Sequence, residues 1–252
     1  MRDFTLKDKR LSTISKLILL GLWVILSEII DNEVIFPTLG STLKSLIEIV
    51  KTPDFISIIA SSLLRSLIGF LISLFLAVLT GILSSISKFF YNVMIPILNF
   101  LGSVPTMAII ILALIWLNNE IVPMFVGFIM IFPILYETVQ KGILNVDKKI
   151  LEICKLYKVR RITLIKDIYI PSIFINLSMV FTSALSTNLK MVIAGEALSQ
   201  PKFAIGSNLQ IEKMYLNTAG VFAWIIIILL ISKLLSYIMK AAIDFTKVDK
   251  WM

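Results

Sequence analysis

The sequence predicts an all-α integral membrane protein with six transmembrane helices. Hydrophobic residues make up 58% of the 252 residues and the mean hydropathy is +0.95, whereas soluble domains contain roughly 45–50% apolar residues. Apolar stretches without any charge recur along the chain, and a helix needs about 20 such residues to cross ~30 Å of hydrocarbon. A soluble fold has no interior large enough for this much apolar surface, so we expect membrane spans.

The predicted spans are the charge-free stretches of the chain. The first and the fourth are short, and they reach spanning length only if Lys16 extends to the interface and Glu28 or Glu137 lies at a helix end. The stretches are residues 17–27, 66–86, 93–117, 121–136, 168–189 and 214–232.

The Lys and Arg residues orient these spans. Six spans place both termini on one side of the membrane, and 17 of the 24 Lys and Arg residues fall in segments on that side. Because positive charge is retained in the cytoplasm, we expect both termini and the long segment between the fourth and fifth spans to be cytoplasmic. No small-residue cleavage site follows the basic leader, so we expect the first span to be a retained anchor. The basic residues on the other side are Lys44, Lys51, Lys202 and Lys213.

The sequence lacks residues that several classes of function require. One cysteine, Cys154, and no histidine exclude a disulfide, a Cys/His zinc site and imidazole catalysis. No G-x-x-x-x-G-K-[ST] motif occurs, so we expect any ATP hydrolysis to belong to another polypeptide and no cofactor or metal in this chain. The basic residues are spread over loops, which argues against nucleic acid. We expect residues 1–252 to form a single membrane domain.

A short amphipathic helix is predicted on the outer side, within residues 36–52. Ser41 and Thr42 precede apolar residues at helical spacing, a pattern typical of a helix start. We expect this helix to lie along the outer membrane surface. Its apolar residues are Leu43, Leu46, Ile47 and Val50.

The segment of about residues 141–171, between the fourth and fifth spans, is too amphipathic for a plain linker. Asp147 is placed to cap a short helix whose residues from Ile150 to Leu156 are mostly apolar. A turn near Lys158 separates this helix from a second helical segment. We expect both to project into the cytoplasm. One explanation of the segment is binding of its basic residues to anionic lipid headgroups.

The same segment resembles the cytoplasmic loop of permease subunits of binding-protein-dependent ABC importers. That loop has the pattern Glu-Ala-Ala, three residues, Gly, nine residues, Ile-x-Leu-Pro. Here Glu152-Ile153-Cys154 stands for Glu-Ala-Ala, Lys158 stands where the family has Gly, and Ile168-Tyr169-Ile170-Pro171 ends the pattern in register. Similarity to the nitrate, sulfonate and taurine branch extends over Phe36-Pro37-Thr38, residues 65–70, residues 102–106 and Ala194-Gly195-Glu196.

The resemblance implies a non-catalytic subunit that forms half of a translocation pathway in the inner membrane of a bacterium. Its expected partners are a cytoplasmic ATPase that binds ATP and Mg, an extracytoplasmic substrate-binding protein and a second copy of the chain. The solute would be nitrate, a sulfonate, a taurine-like organic anion or a cofactor precursor. The residues expected to contact the ATPase are Leu151, Glu152, Ile153, Cys154, Leu156, Lys158 and Pro171.

Two groups of residues are candidates for the solute pathway. Ser103, Pro105 and Thr106 form a polar, helix-breaking patch within the third span, although helix packing through small residues explains them equally well. Asn188 and Glu196 lie toward the outer end of the fifth span, where burial of such groups is costly and a functional role is therefore expected.

Two further expectations concern basic residues at the outer ends of spans. Lys190 is expected to extend to the outer interface, and Arg65 to anchor the start of the second span at the headgroups.

The alternative to an ATP-driven importer is a secondary carrier or channel. Such a protein requires ionisable residues clustered at the bilayer midplane, often with inverted repeats, and the sequence displays neither feature. Uptake that persists without any ATPase partner would identify this alternative.

Overall fold

The computed structural model describes residues 9–245, and all regular elements in that range are helical, which confirms the all-α class. The helices are α1 (Lys9–Ile30), α2 (Leu39–Lys51), α3 (Phe55–Ile86), α4 (Lys88–Ser103), α5 (Thr106–Trp116), α6 (Val122–Leu144), α7 (Lys148–Leu156), α8 (Arg161–Leu164), a π-helical turn (Ile165–Tyr169), α9 (Ile170–Ser199), α10 (Ile205–Met214) and α11 (Thr218–Phe245).

Among the described residues, α1, α3, α6, α9 with its preceding turns, and α11 are long and apolar enough to cross a membrane. The pair α4 and α5 passes the same criterion only together, and its two helices are bent by 102°. Counting the pair as one span gives six, so the six-span prediction is confirmed with its third member broken. Four basic residues that entered the orientation argument, Arg2, Lys7, Lys247 and Lys250, lie outside the described residues.

The break between α4 and α5 has a local cause. Val104 and Pro105 both have extended backbones, with ψ of 128° and 134°. Proline disfavours the helical conformation in the residue before it, so the chain leaves the helix at Val104. The other prolines in this region do not end a helix. Pro123 lies in the first turn of α6, where the missing N–H has no helical partner to lose. Pro96 and Pro133 lie inside α4 and α6.

Most helices extend beyond the charge-free stretches, and α3 and α6 show the cause. Helix α3 begins at Phe55 and not at residue 66, so Arg65 lies inside it. Helix α6 continues through Glu137 to Leu144. The prediction ended spans at charges, but a helix continues past a charged residue whose side chain finds partners or solvent.

Helix α2 lies within the predicted amphipathic segment, but its cap is Thr38 and not Ser41 or Thr42. The Thr38 hydroxyl accepts a hydrogen bond from the backbone N of Ser41 at 3.1 Å. Thr42 and Ile49 are its buried residues, while the apolar residue Leu43 is 56% exposed. Its placement along the membrane surface stays a prediction.

The described helices fall into two compact units. The first combines the described residues up to Phe55 with Asn208–Leu229. Its aromatic contacts include Trp23 and Phe222, whose ring centroids lie 5.2 Å apart, edge to face. The second combines Ile56–Ser207 with the described residues from Leu230 onwards. The prediction of a single domain over 1–252 stays a prediction.

Within the second unit, α6 and α9 pack closely as an antiparallel pair. A Cβ atom on any of three glycines along the pair would lie 2.7–3.0 Å from the partner helix, so the two helices touch along their whole length. The facing residues are Gly142 and Ile173, Gly127 and Asn188, and Pro123 and Gly195.

Helices α3 and α6 run parallel. Gly69 approaches the carbonyl of Met124, and further along both helices Gly81 approaches Val139. Gln140 also donates from Nε2 to the Gly81 carbonyl at 2.7 Å. Because α3 and α6 point the same way, the bent α4–α5 pair between them must return the chain from one end of the unit to the other. That geometry supports counting the pair as one crossing.

Candidate functional site

The segment between α6 and α9 contains a short exposed helix, α7. Asp147 caps it as predicted, since its Oδ1 accepts a hydrogen bond from the backbone N of Lys149 at 2.9 Å. None of the nine residues of α7 is buried, although Ile153 and Leu156 are apolar and are 55% and 78% exposed. Adjoining apolar side chains exposed in this way are typical of a surface that another molecule covers.

The turn after α7 forms at Lys158, as predicted, and uses a conformation that glycine usually supplies. Lys158 has a φ of 50°. The Val159 N–H bonds to the Cys154 carbonyl at 2.9 Å, and the Lys158 N–H bonds to the Lys155 carbonyl at 3.1 Å. These two bonds are the Schellman pattern of a helix end. The chain therefore makes the expected turn with Lys, at a cost of about 1–2 kcal/mol relative to Gly.

A π-helical turn connects this segment to α9. The Ile170 N–H bonds to the Ile165 carbonyl, five residues back. Pro171 follows at once, and it has no N–H to donate and crowds the carbonyl of residue 167. A wider turn immediately before Pro171 accommodates both effects.

The two ends of the segment are joined to each other by the α6–α9 pair. Ser172 donates from Oγ to the Gly142 carbonyl at 2.5 Å, and a Cβ atom on Gly142 would lie 2.8 Å from the Ile173 Cα. A force on α7 therefore acts on two spans that are already fixed together.

The structure places most of the predicted ATPase-contact residues on one element. Those on α7 or its C-terminal turn are exposed or half-buried, whereas Pro171 lies half-buried on α9 beyond the π-helical turn. Their contact with an ATPase stays a prediction. The exposed residues are Glu152, Ile153, Leu156 and Lys158, and the half-buried ones are Leu151 and Cys154.

A buried charge cluster lies at the other end of α9. Arg65 donates from Nη1 to Glu196 Oε1 at 3.0 Å and to the Phe203 carbonyl at 2.8 Å. Its Nη2 donates to Glu120 Oε2 at 2.5 Å. Only 10% of the Arg65 side chain is exposed. The prediction that Arg65 anchors at the headgroups is therefore wrong, because protein groups take the place of water around the guanidinium.

Glu196 is the fully buried partner in this cluster, with none of its side chain exposed. Its Oε2 accepts hydrogen bonds from Ser62 Oγ at 2.9 Å and from the Gly206 N at 3.1 Å. A Cβ atom on Gly206 would lie 2.3 Å from the Ile193 carbonyl, so only glycine lets α10 approach α9 this closely. Both carboxylate oxygens are satisfied, which is what a buried charge requires.

The predicted pathway residues do not form one site. Asn188 is fully buried, and its Nδ2 donates to the Ser66 carbonyl at 2.6 Å and to Ser66 Oγ at 3.0 Å. Glu196 belongs to the charge cluster, while Ser103, Pro105 and Thr106 surround the α4–α5 break. Their role in a pathway stays a prediction.

Sequence reasoning missed the partnership of Arg65 with Glu196 and Glu120. The signal was present, since Arg65 and Glu196 carry opposite charges inside two apolar helices, where ionisable residues are expected to pair. Glu120 gives no comparable signal, because a carboxylate in a short polar turn needs no partner.

Comparison with known proteins agrees with this architecture. The sequence model of the family described as binding-protein-dependent transport system inner membrane component matches residues 69–247. The chain is also 22% identical over 220 residues to the putative aliphatic sulfonates transport permease protein SsuC of Bacillus subtilis (strain 168). That alignment covers 86% of this chain and 79% of the relative. The chain therefore belongs to the binding-protein-dependent transport system inner membrane components, and it is the permease subunit of an ABC importer for a small solute.

Proposed function

We propose that α7 is the helix through which a separate cytoplasmic ATPase subunit drives this permease. The observation that carries the proposal is the complete absence of buried residues in α7, combined with its exposed apolar residues Ile153 and Leu156. Anionic lipid would also cover that apolar surface, but it would repel the exposed carboxylate of Glu152 on the same helix. A groove on a partner protein covers the apolar residues and binds Glu152 as well.

The α6–α9 pair gives this helix a means of transmitting motion. Helix α9 has 30 residues, a length of about 45 Å at 1.5 Å per residue. Close contact along the pair makes it move as one body, as packed elements do in domain closure. Closure of two ATPase subunits on ATP would therefore shift α7 and, through the pair, the far end of α9.

Glu152 is the residue with which to test this coupling. Glu152 is exposed, so Glu152→Arg leaves the fold intact, and it reverses a charge in the proposed interface. We expect at least tenfold weaker association with the ATPase, since interface charge pairs contribute about 1.5–7 kcal/mol. Co-purification and uptake in proteoliposomes measure the two effects.

Glu137→Arg is the matched control, because Glu137 is also exposed, with 63% of its side chain accessible, but lies on α6 outside the segment. It should leave association unchanged. Normal association and normal ATP-driven uptake in Glu152→Arg would refute the coupling role.

The solute is proposed to be a small organic anion of the sulfonate type, delivered by an extracytoplasmic binding protein. The support is the name of the relative and the residue pattern shared with the nitrate, sulfonate and taurine branch. Calorimetry on the partner binding protein with an alkanesulfonate, taurine and nitrate distinguishes the candidates. Binding of none of the three would redirect the assignment to another solute, such as a cofactor precursor.

We also propose that both termini and α7 lie in the cytoplasm and that two copies of the chain assemble. The distribution of Lys and Arg supports cytoplasmic termini and a cytoplasmic α7. Cys154, the sole cysteine of the sequence, lies on α7 and is half-buried. A membrane-impermeant maleimide should label it in inside-out vesicles and not in right-side-out vesicles. Light scattering of the purified transporter reports whether two copies assemble.

A further inference from the structure

The exposed faces of two spans, α3 and α9, differ in polarity. Within residues 66–84 of α3 every exposed residue is apolar, as expected of a surface in contact with lipid tails. Within residues 177–193 of α9 the exposed residues are Met179, Ser183 and Lys190. A hydroxyl and an ammonium therefore lie on α9 where α3 carries apolar side chains. The exposed residues of that part of α3 are Leu67, Ile68, Leu71, Ile72, Phe75 and Leu79.

The polar residues form a row along one side of α9. At 3.6 residues per turn, Ser183, Thr187 and Lys190 fall within about 60° of one another around the helix axis. Asn176 lies seven residues before Ser183 and extends the row toward α7, and both Asn176 and Thr187 are half-buried. From Asn176 to Lys190 the row is about 21 Å long. It therefore covers most of the thickness of a bilayer core.

Neighbouring helices border this row without covering it. On one side, Ser186 Oγ lies 3.1 Å from Ser236 Oγ of α11. On the other side, Met191 packs against the apolar cluster of Ile110 and its neighbours, which joins α5 to α6. The row therefore lies on an open strip of α9 between α11 and α5.

Lys190 is the member of the row that lipid tails cannot satisfy. Ser183 donates from Oγ to the Val180 carbonyl at 2.8 Å, so its hydroxyl is satisfied within its own helix. Among residues 9–245 no carboxylate pairs with Lys190, and an ammonium within a span is costly unless it meets water or an anion. Extension to the headgroups would supply water to Lys190 alone. A water-filled path along α9 accounts for Lys190 and for the other polar residues of the row.

We propose that this row of α9 lines the solute pathway and that Lys190 is the cation that selects an anionic solute there. An ammonium offers three donors to the oxygens of a sulfonate, and hydrogen bonds between charged groups are stronger than those between neutral ones. Lys190 lies about 30 Å from the start of α9, toward the end opposite to α7. The role of Lys190 rests on the proposed anionic solute, whereas the lining role of the row does not.

Cysteine labelling tests the lining role without any solute. Ser183→Cys and the matched control Leu71→Cys, on the exposed face of α3, are made in a Cys154→Ser background. Each transporter is reconstituted with its ATPase and binding protein and turned over with ATP. A charged methanethiosulfonate reacts in water, so we expect it to label Ser183→Cys much faster than Leu71→Cys. Equal rates at the two positions would overturn the lining role.

Two reagents of opposite charge test whether Lys190 faces the same water. One methanethiosulfonate carries a sulfonate and the other a trimethylammonium group. Lys190 is about 10 Å from Ser183 along the helix, so Lys190→Gln should lower the ratio of anionic to cationic labelling of Ser183→Cys by about threefold. Lys190→Arg should preserve the ratio. An unchanged ratio in Lys190→Gln would contradict the assignment of Lys190 to the pathway.

Lys233→Gln is the matched control for both labelling and transport. Lys233 is also exposed within a span, α11, but its neighbours on that surface are apolar. Lys233→Gln should leave the labelling ratio and uptake unchanged. The neighbouring exposed residues are Leu229, Leu230 and Leu234.

Uptake of an alkanesulfonate tests the selection of anions. At saturating solute and binding protein, Lys190→Gln should lower the uptake rate at least about tenfold, the contribution of one charged hydrogen bond, whereas Lys190→Arg should retain most of it. ATPase association should stay normal in both, which separates this result from a failure of α7 docking. A wrong solute would be evident from calorimetry on the binding protein, which does not involve this chain. Wild-type uptake of a bound alkanesulfonate by Lys190→Gln would overturn the role of Lys190.

Discussion

Arg65 and Glu196 are 131 positions apart in the sequence, yet Arg65 Nη1 lies 3.0 Å from Glu196 Oε1 in a site without solvent at the carboxylate. The pair joins α3 to α9, and the further bond from Arg65 to the Phe203 carbonyl adds the segment that follows α9. One guanidinium therefore connects three parts of the second unit.

Replacing Arg65 alone should be severely destabilising. In Arg65→Met the Glu196 carboxylate remains buried without its counter-ion, and breaking a buried pair from one side costs about 3–5 kcal/mol. Unfolding of the purified permease in detergent, followed by tryptophan fluorescence, measures the change.

The double variant Arg65→Met/Glu196→Met separates lost charge pairing from lost packing. It should be more stable than Arg65→Met, because apolar residues of similar size tolerate a dry site. If the double variant were less stable than the wild type by the sum of the effects of Arg65→Met and Glu196→Met, the two residues would not act as a pair.

The sequence predicted those parts of the fold that depend on local pattern. Charge-free length predicted the spans, and Asp147 predicted the cap of α7, because capping involves neighbouring residues alone. The start of α3 was placed eleven residues late at Ser66, because the partners of Arg65 are distant in sequence. The 102° bend at Pro105 has a visible local cause, but its size depends on packing between helices.

Lys158 provides a test of the turn that follows α7. Lys158→Gly should slow amide exchange across α7, because glycine adopts a positive φ without strain and the gain is about 1 kcal/mol. Lys158→Val should speed exchange, since a β-branched side chain is poorly suited to that conformation. Hydrogen–deuterium exchange of the full-length permease in detergent measures both.

The exchange result is specific if the spans are unaffected. Amides of α6 should exchange at the same rate in both Lys158 variants and in the wild type. An identical exchange rate of α7 in the glycine and valine variants would show that Lys158 does not occupy the positive-φ conformation.

Asn188 should contribute to stability through its bonds to Ser66. Asn188→Ala removes both hydrogen bonds from a fully buried site, and the loss should be about 1–3 kcal/mol because the Ser66 groups lose a partner. Lys190→Ala, two residues further on α9 and exposed, should change stability by less than about 0.5 kcal/mol. Thermal unfolding of the two variants measures this difference in stability. Equal melting temperatures would show that the hydrogen bonds of Asn188 do not stabilise the fold.

The contact between Gly142 and Ile173 predicts opposite effects of one substitution at two glycines. In Gly142→Ala the added Cβ would lie 2.8 Å from the Ile173 Cα, and separating α6 from α9 should cost about 1–3 kcal/mol. In Gly102→Ala the Cβ meets nothing within 4 Å, so the higher helix propensity of alanine should leave stability unchanged or raise it by up to about 1 kcal/mol.

Because α6 and α9 are also the proposed connection from α7 to the charge cluster, Gly142→Ala should lower uptake per ATP as well, while Gly102→Ala should not. A Gly142→Ala permease with wild-type stability and coupling would show that close contact of these two spans is unnecessary.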